Sequence, residues 1–231
     1  MRINILYISF IFLILGCKKP ESISVINDSL VNPVVAKDET LIADSLEVDT
    51  TKNRTTLLTE ALKVDSFEHF NYAPFVFFKS GKLFCKDQTN AIYIYNSNDT
   101  TYSLILYNLE KNKWIIKDSI SNIDISPIQF STDFMDFNFD GYNDLYIQHS
   151  CSNGHAISYG NLLVYNRKEN KLIRHLLKGG NIQALPKTKT IQTEEWLERN
   201  RYGQCVLRQY QYTWENDELK EKNKKIITSK D

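Results

Sequence analysis

The sequence lacks an excess of charge of either sign. Its 28 basic and 28 acidic residues cancel, and a chain without a basic surplus suits the phosphate backbone of nucleic acids poorly. We therefore expect no nucleic-acid partner. Glycine is also scarce, with eight residues, whereas tyrosine and phenylalanine are abundant, with 13 and 12. This balance favours strands over a helical bundle.

Aromatic residues are absent between residues 21 and 63, where Ser, Thr, Asp and Val predominate. Such a segment can bury little apolar surface, so we predict a disordered tether. The residues that follow suffice for one domain with a core of its own. We therefore predict a tether over residues 17–63 and a β domain over residues 64–231.

The first residues are typical of a lipoprotein signal. Met1-Arg2 precedes an apolar run over residues 3–15 that is too short to span a membrane. The run ends in Ile-Leu-Gly-Cys at residues 14–17, which predicts a signal peptide over residues 1–16 and an acylated Cys17 at the mature N-terminus. Several acyl chains on one residue anchor a protein stably. An ordinary signal peptide with a coincidental cysteine is the alternative.

The periodicity after residue 64 is that of strands. Residues 91–95 and 102–107 are rich in Ile, Leu and Tyr and flank a turn at residues 96–100, and residues 114–118 continue the pattern, which predicts a hairpin followed by a third strand. We predict an all-β fold of antiparallel meanders, either an irregular or incomplete β-propeller-like domain or a β-sandwich. One short helix is predicted over residues 193–199, with Thr193 as its N-cap.

A faint internal repeat supports the meanders. Tyr107-Asn108 and Tyr165-Asn166 are each followed, after three intervening residues, by Asn-Lys and an apolar strand, and residues 209–222 resemble a third, looser copy. Three copies are too few to close a standard propeller.

The most specific pattern is a series of oxygen-bearing side chains on alternate residues around Gly141. Calcium takes six to eight oxygen ligands, and loops that bind it supply them from positions one, three, five, seven and nine, with a glycine turn at position six. The loop is not an EF-hand loop, because position twelve is Ile147 instead of Glu, and the residues on either side of the loop favour strands. An Asx-rich turn that binds nothing is the alternative. The candidate ligands are Asp136, Asn138, Asp140, the backbone carbonyl of Tyr142, and Asp144.

This loop resembles the calcium loops of FG-GAP or VCBS-type repeats, in which a D-x-[DN]-x-D-G-x-x-D-[LIV] segment ties together the strands of a propeller blade. The match covers ten residues and occurs once. The chain as a whole resembles bacterial lipoproteins with one such loop in a small, propeller-like β domain, some of which resemble lysozyme inhibitors. By that resemblance, and with Lys18 and Lys19 after the lipidated residue, we expect an outer-membrane lipoprotein on the periplasmic face or the cell surface.

The remaining cysteines are three in number, Cys85, Cys151 and Cys205, so in an oxidising compartment at most two of them pair within the chain. The preferred pair is Cys151 with Cys205, which would join the segment after the calcium loop to the last hairpin.

The segment over residues 150–159 is a candidate recognition loop. It consists of small and polar residues projected from a strand, and loops held on rigid scaffolds often carry function. It weakly resembles the Ser-Gly...Tyr loop by which some periplasmic lysozyme inhibitors enter a lysozyme cleft, with one residue more than that pattern allows. A plain strand connection is the alternative. The matching and candidate partner-binding residues are Ser152, Gly154, His155, Ala156 and Tyr159.

No local motif for catalysis is recognisable, and the spacing of His149, Cys151 and His155 fits no common zinc template. We therefore expect a non-enzymatic binding protein with calcium as its cofactor and a protein partner such as a lysozyme. A carbohydrate-binding or adhesion module is the alternative, and an envelope hydrolase is a third hypothesis.

Overall fold

A short helix and thirteen strands make up the computed structural model, which describes residues 53–97, 101–151 and 157–229. The predicted signal peptide and Cys17 lie outside these residues. The described helix, α1, covers residues 53–61, and a 3₁₀ turn covers Pro127–Gln129. The strands are β1 Phe67–Asn71, β2 Val76–Cys85, β3 Gln88–Asn96, β4 Tyr102–Glu110, β5 Lys113–Ile123, β6 Ser131–Met135, β7 Asp144–Cys151, β8 Ser158–Asn166, β9 Lys171–His175, β10 Gly180–Leu185, β11 Thr190–Arg199, β12 Cys205–Glu215 and β13 Glu218–Ser229.

The strands form three consecutive antiparallel meanders. The first sheet contains β1 to β5, the second β6 to β9 and the third β10 to β13, and within each sheet every strand pairs with the next along the chain. The predicted hairpin and third strand correspond to β3, β4 and β5. The all-β prediction with antiparallel meanders is therefore confirmed.

The second sheet is the middle layer of a stack. Because successive side chains on a strand point to opposite faces, Leu145 and Leu163 pack against the first sheet, while Tyr146 and Leu162 pack against the third. The far face of the first sheet is covered by α1, through Leu57 and other residues. The layers therefore follow chain order, with the helix first and then the three sheets packed face to face. Successive blades of an incomplete propeller also follow one another along the chain.

The helix predicted over residues 193–199 is wrong, because this segment belongs to β11. Thr193 caps no helix: it pairs with Tyr210 of β12, and its fully buried hydroxyl donates to the Lys178 carbonyl at 2.5 Å. Pairing with a long neighbouring strand outweighs the helical preference of Glu and Leu here.

The helix that does occur, α1, lies within the predicted tether. Leu57 and Ala61, one turn apart, are buried against the first sheet. The Trp114 indole Nε1 on β5 donates to the Leu58 carbonyl at 2.9 Å. The packed part of the chain therefore begins before residue 64.

The faint sequence repeat corresponds to the last hairpin of each sheet, β4–β5, β8–β9 and β12–β13. Their turns contain residues in the left-handed region, where Asn and Asp are tolerated best. These residues are Lys111, Asn112, Asn170, Asn216 and Asp217. The side-chain amide of Asn108 donates to Asn170 at 2.8 Å, so the first two hairpins lie side by side.

Candidate metal loop and neighbouring cleft

The predicted calcium loop connects β6 to β7. Its only fully buried side chain before β7 is Phe137, which lies in the core between the second and third sheets. Left-handed backbone at Phe139, with φ of 64°, and at Gly141, with φ of 91°, turns the chain back on itself. The loop is therefore anchored by one aromatic ring while its polar side chains stay near the surface.

Asp136, Asn138 and Asp140 are brought together by hydrogen bonds inside the loop. The Asp140 N–H donates to Asp136 Oδ1 and to Asn138 Oδ1, both at 3.1 Å. The Gly141 N–H donates to Asp136 Oδ2 at 2.9 Å, and the Tyr142 N–H donates to Asp140 Oδ1 at 2.8 Å. Three of the predicted ligands thus direct their oxygens toward the backbone of one tight loop.

Asp144 is fully buried and serves as a clamp. Its Oδ2 accepts the N–H groups of Phe137 at 2.8 Å and Asn138 at 3.1 Å, and its Oδ1 accepts that of Tyr165 at 2.9 Å. Burial raises the pKa of Asp144 to about 7, against the lowering effect of these three bonds, and the charge of Asp140 raises it slightly further. Both oxygens of Asp144 thus accept hydrogen bonds from backbone amides, and one of these amides, that of Tyr165, lies outside the loop.

The loop is bonded to all three sheets. Asn143 donates its backbone N–H to the Phe84 carbonyl at 2.8 Å and its side-chain amide to the Leu83 carbonyl at 3.0 Å, both at the end of β2 in the first sheet. Asp144 reaches Tyr165 in the second sheet, as described above. The Trp214 indole Nε1, in the third sheet, donates to the Phe137 carbonyl at 2.9 Å. The loop over residues 136–144 therefore makes hydrogen bonds to each of the three layers.

The donor set of the loop fits calcium. Asp136 and Asp140 supply hard carboxylate oxygens and Asn138 an amide oxygen, the ligand types that calcium prefers. Among the described residues, none of the three loop carboxylates forms an ion pair with Lys, Arg or His. A cation in the loop would be held by the Asp136 and Asp140 carboxylates, the Asn138 amide oxygen and the Tyr142 carbonyl. The oxygens of Asp144, the fifth predicted ligand, accept backbone N–H groups instead.

The predicted recognition loop lies at the other end of β7. Ser152, Gly154, His155 and Ala156 fall outside the described residues. Strands β7 and β8 pair as far as Cys151 and Ser158, at the edge of this segment. Asp144 and Cys151 are seven residues apart on an extended strand, which corresponds to about 23 Å. The loop over residues 136–144, called the metal loop below, and this segment therefore lie at opposite ends of the second sheet.

Tyr159 belongs to β8 and is partly buried. Its ring packs against a small cluster that contains Ile157, Cys205 and Leu207, together with Trp196. Burial, and then the charge of Glu195, raises the pKa of its hydroxyl. Tyr159 thus fixes the base of the segment from within the sheet.

The predicted disulfide between Cys151 and Cys205 is not formed in the structure. The Cys151 sulfur lies 3.1 Å from the Gln148 side-chain nitrogen and 3.3 Å from the Ser158 hydroxyl, in the second sheet. Cys205 is buried between the second and third sheets beside Ile157 and Leu207. The Cys151 sulfur therefore lies beside polar groups, whereas Cys205 lies in an apolar cluster.

Beside the metal loop is a cleft of 250 Å³ that the sequence did not reveal. Its walls come from the loop, from the β8–β9 hairpin and from the start of the β12–β13 turn, three segments far apart in the chain. The only sequence signal is that Trp214 and Arg167 belong to two copies of the faint repeat. The lining side chains with polar or aromatic groups are Asn138, Asp140, Tyr142, Tyr165, Asn166, Arg167, Lys168, His175, Trp214 and Asp217.

Comparisons of the chain with protein-family models, curated proteins and solved structures found no match. Within the described residues, no helix has the length and apolar character needed to cross a membrane.

Proposed function

We propose that this protein is a lipid-anchored, non-enzymatic binding protein of the cell envelope, whose β domain is braced by calcium. The observation that carries the proposal is that residues 136–144 are bonded to all three sheets, through Leu83 and Phe84, Tyr165 and Trp214. A cation held by Asp136, Asn138 and Asp140 would neutralise the loop's carboxylates. It would thereby stabilise the joint between the layers.

We assign the cation a structural role because the side-chain oxygens of the loop accept hydrogen bonds from the loop's own backbone. Each side-chain oxygen of Asp136 accepts a backbone N–H from Asp140 or Gly141. Turnover would require a substrate oxygen or a water to share the metal beside a base, and the neighbouring buried carboxylate, Asp144, is committed to three backbone amides. These contacts favour a structural cation in a binding scaffold over a catalytic metal.

The proposed recognition element is the segment over residues 150–159, with Ser152, Gly154, His155 and Tyr159 as partner-binding residues. Its base is rigid, because β7 and β8 pair up to its edge and Tyr159 packs into the cluster around Trp196. A short, polar connection on such a base suits insertion into a narrow groove of another macromolecule. A lysozyme is the candidate partner, and the outer membrane is the proposed location.

The decisive experiment measures binding of the non-lipidated full chain, carrying Cys17→Ser, to a panel of lysozymes in calcium by surface plasmon resonance. We expect a dissociation constant between nanomolar and micromolar for at least one lysozyme, and loss of binding in His155→Ala and Tyr159→Ala. Ile116→Ala is the matched control, because Ile116 is 57% exposed and lies on β5 in the first sheet. Absence of binding to every lysozyme would refute the partner.

The alternatives give different results in parallel assays. An adhesion module would bind immobilised glycans without binding lysozyme. A hydrolase would release product from peptidoglycan or ester substrates, and such turnover would overturn the non-enzymatic assignment.

A further inference from the structure

The cleft beside the metal loop has one aromatic wall held in a fixed orientation. The Trp214 indole donates its only N–H to the Phe137 carbonyl at 2.9 Å. The His175 ring forms a T-shaped pair with it, at a centroid distance of 4.9 Å and an interplanar angle of 81°. With its polar atom engaged, the half-buried indole offers the cleft a flat apolar surface.

Polar groups capable of hydrogen bonding surround this surface. Burial lowers the pKa of His175 from 6.5, so the imidazole is neutral at pH 7 and has one donor and one acceptor. Among the described residues, no group hydrogen-bonds its ring nitrogens. Asn166 uses its side-chain oxygen to accept the Glu169 N–H at 3.1 Å, which leaves its amide NH₂ group to donate.

The charges that line the cleft are largely compensated. Arg167 forms two hydrogen bonds to Asp87, at 2.8 Å and 2.5 Å, and its guanidinium lies 5.0 Å from the centroid of the Tyr142 ring. The lining side chains together carry two positive charges, on Arg167 and Lys168, and two negative charges, on Asp140 and Asp217. The cleft therefore has no surplus charge with which to attract an anion or a cation, in contrast to an anion site built from unpaired Arg and Lys.

A flat aromatic face, neutral donors and acceptors, and balanced charge together match the chemistry of a sugar ring. A pyranose has an apolar C–H face that can stack on an indole, and a rim of hydroxyls that both donate and accept. The cleft volume of 250 Å³ is below the usual range for pockets of drug-sized ligands, about 300–1,000 Å³, so one ring fits this space better than a long ligand.

We propose that this cleft binds a single ring of an uncharged sugar, stacked on Trp214 and hydrogen-bonded by His175 and Asn166. The site lies at the metal-loop end of the second sheet, away from the segment over residues 150–159. It is thus additional to the proposed protein-binding function and does not depend on it.

The test is saturation-transfer difference NMR on the full chain carrying Cys17→Ser, in calcium. The neutral probes are glucose, galactose, mannose and N-acetylglucosamine, and the charged probes are glucuronic acid and glucosamine. We expect transfer to the ring C–H protons of at least one neutral sugar, saturable at millimolar concentration. Trp214→Leu and His175→Gln should each weaken binding about tenfold or more, which corresponds to about 1.4 kcal/mol.

Trp114→Leu is the matched control, since Trp114 also donates its indole N–H to a backbone carbonyl at 2.9 Å but lies on the first sheet, against α1. It should bind sugar as the parent protein does. His175→Gln keeps the proposal testable even if Trp214→Leu does not fold, as judged by thermal melting. The proposal is overturned if no neutral sugar gives saturable transfer, if the charged sugars alone give it, or if His175→Gln binds like the control. None of these outcomes alters the lysozyme-binding result.

Discussion

The Asp144 carboxylate accepts a hydrogen bond from the Tyr165 backbone N–H at 2.9 Å, and this contact attaches the metal loop to β8. The other oxygen of the same carboxylate holds the N–H groups of Phe137 and Asn138. One buried side chain therefore fixes the loop on both sides of its turn.

Replacing the clamp should destabilise the fold even without calcium. In Asp144→Ala, three backbone N–H groups lose their acceptor in a buried site, so we expect the free energy of unfolding to fall by about 3–5 kcal/mol. Urea denaturation in the presence of a chelator measures this. The exposed Asp133 lies on the preceding strand, and Asp133→Ala should change stability by no more than about 0.5 kcal/mol. Equal effects of the two substitutions would contradict the clamp.

Calcium should stabilise the parent protein through the loop. A ligand at a hundred times its dissociation constant that binds only the folded state adds about 2.7 kcal/mol, which thermal melting with calcium and with chelator detects. Asp136→Asn and Asp140→Asn should abolish this calcium-dependent increment, because each removes a charged ligand. Both substitutions should also modestly lower the melting temperature in chelator, since both carboxylates accept backbone N–H groups.

Asp133→Asn changes the same charge outside the loop and should retain the full increment. If the chelator leaves the melting temperature of the parent protein unchanged, calcium does not brace this domain.

The strands, and the turn between β6 and β7, were accessible from the sequence because their signals are local. Runs of Ile, Leu and Tyr over 91–95 and 102–107 mark β3 and β4, and the spacing of Asp136, Asn138 and Asp140 is contained in five residues. The helix over residues 193–199 was predicted wrongly because the partner that makes it a strand, β12, lies about a dozen residues further along the chain. Local propensity carries no information about such pairing.

The cleft and the clamp depend on longer-range placement. Trp214 meets Phe137 across 77 residues, and Asp144 meets Tyr165 across 21. In the sequence, Asp144 is simply the ninth position of a calcium loop. Only the course of the loop and the pairing of β7 with β8 show that its oxygens face backbone amides.

The helix α1 should contribute to stability, although its composition resembled a tether. Leu57 is 5% exposed and packs on the first sheet, so Leu57→Ala should cost about 2–4 kcal/mol through lost burial and the cavity it leaves. Leu62, just beyond the helix, is 46% exposed, and Leu62→Ala should be near neutral. Urea denaturation of both variants decides the matter, since similar small losses would mean that α1 does not pack on the sheet.

Acid should destabilise the domain in part through His175. Its folded pKa is lowered from 6.5 by burial, so as the pH falls below about 6.5 the unfolded chain binds the proton first, and stability is lost. His175→Gln cannot bind this proton, so its free energy of unfolding should decline less than that of the parent protein between about pH 6.5 and pH 5.

Urea denaturation across this range measures the two slopes. Above about pH 7.5 the difference in stability between the two proteins should be constant, because the imidazole is neutral in both the folded and the unfolded state, and this plateau serves as the internal control. Parallel curves at acid pH would show that His175 is well solvated. They would also remove the basis for a neutral imidazole beside Trp214, so this measurement bears on the chemistry of the cleft as well as on stability.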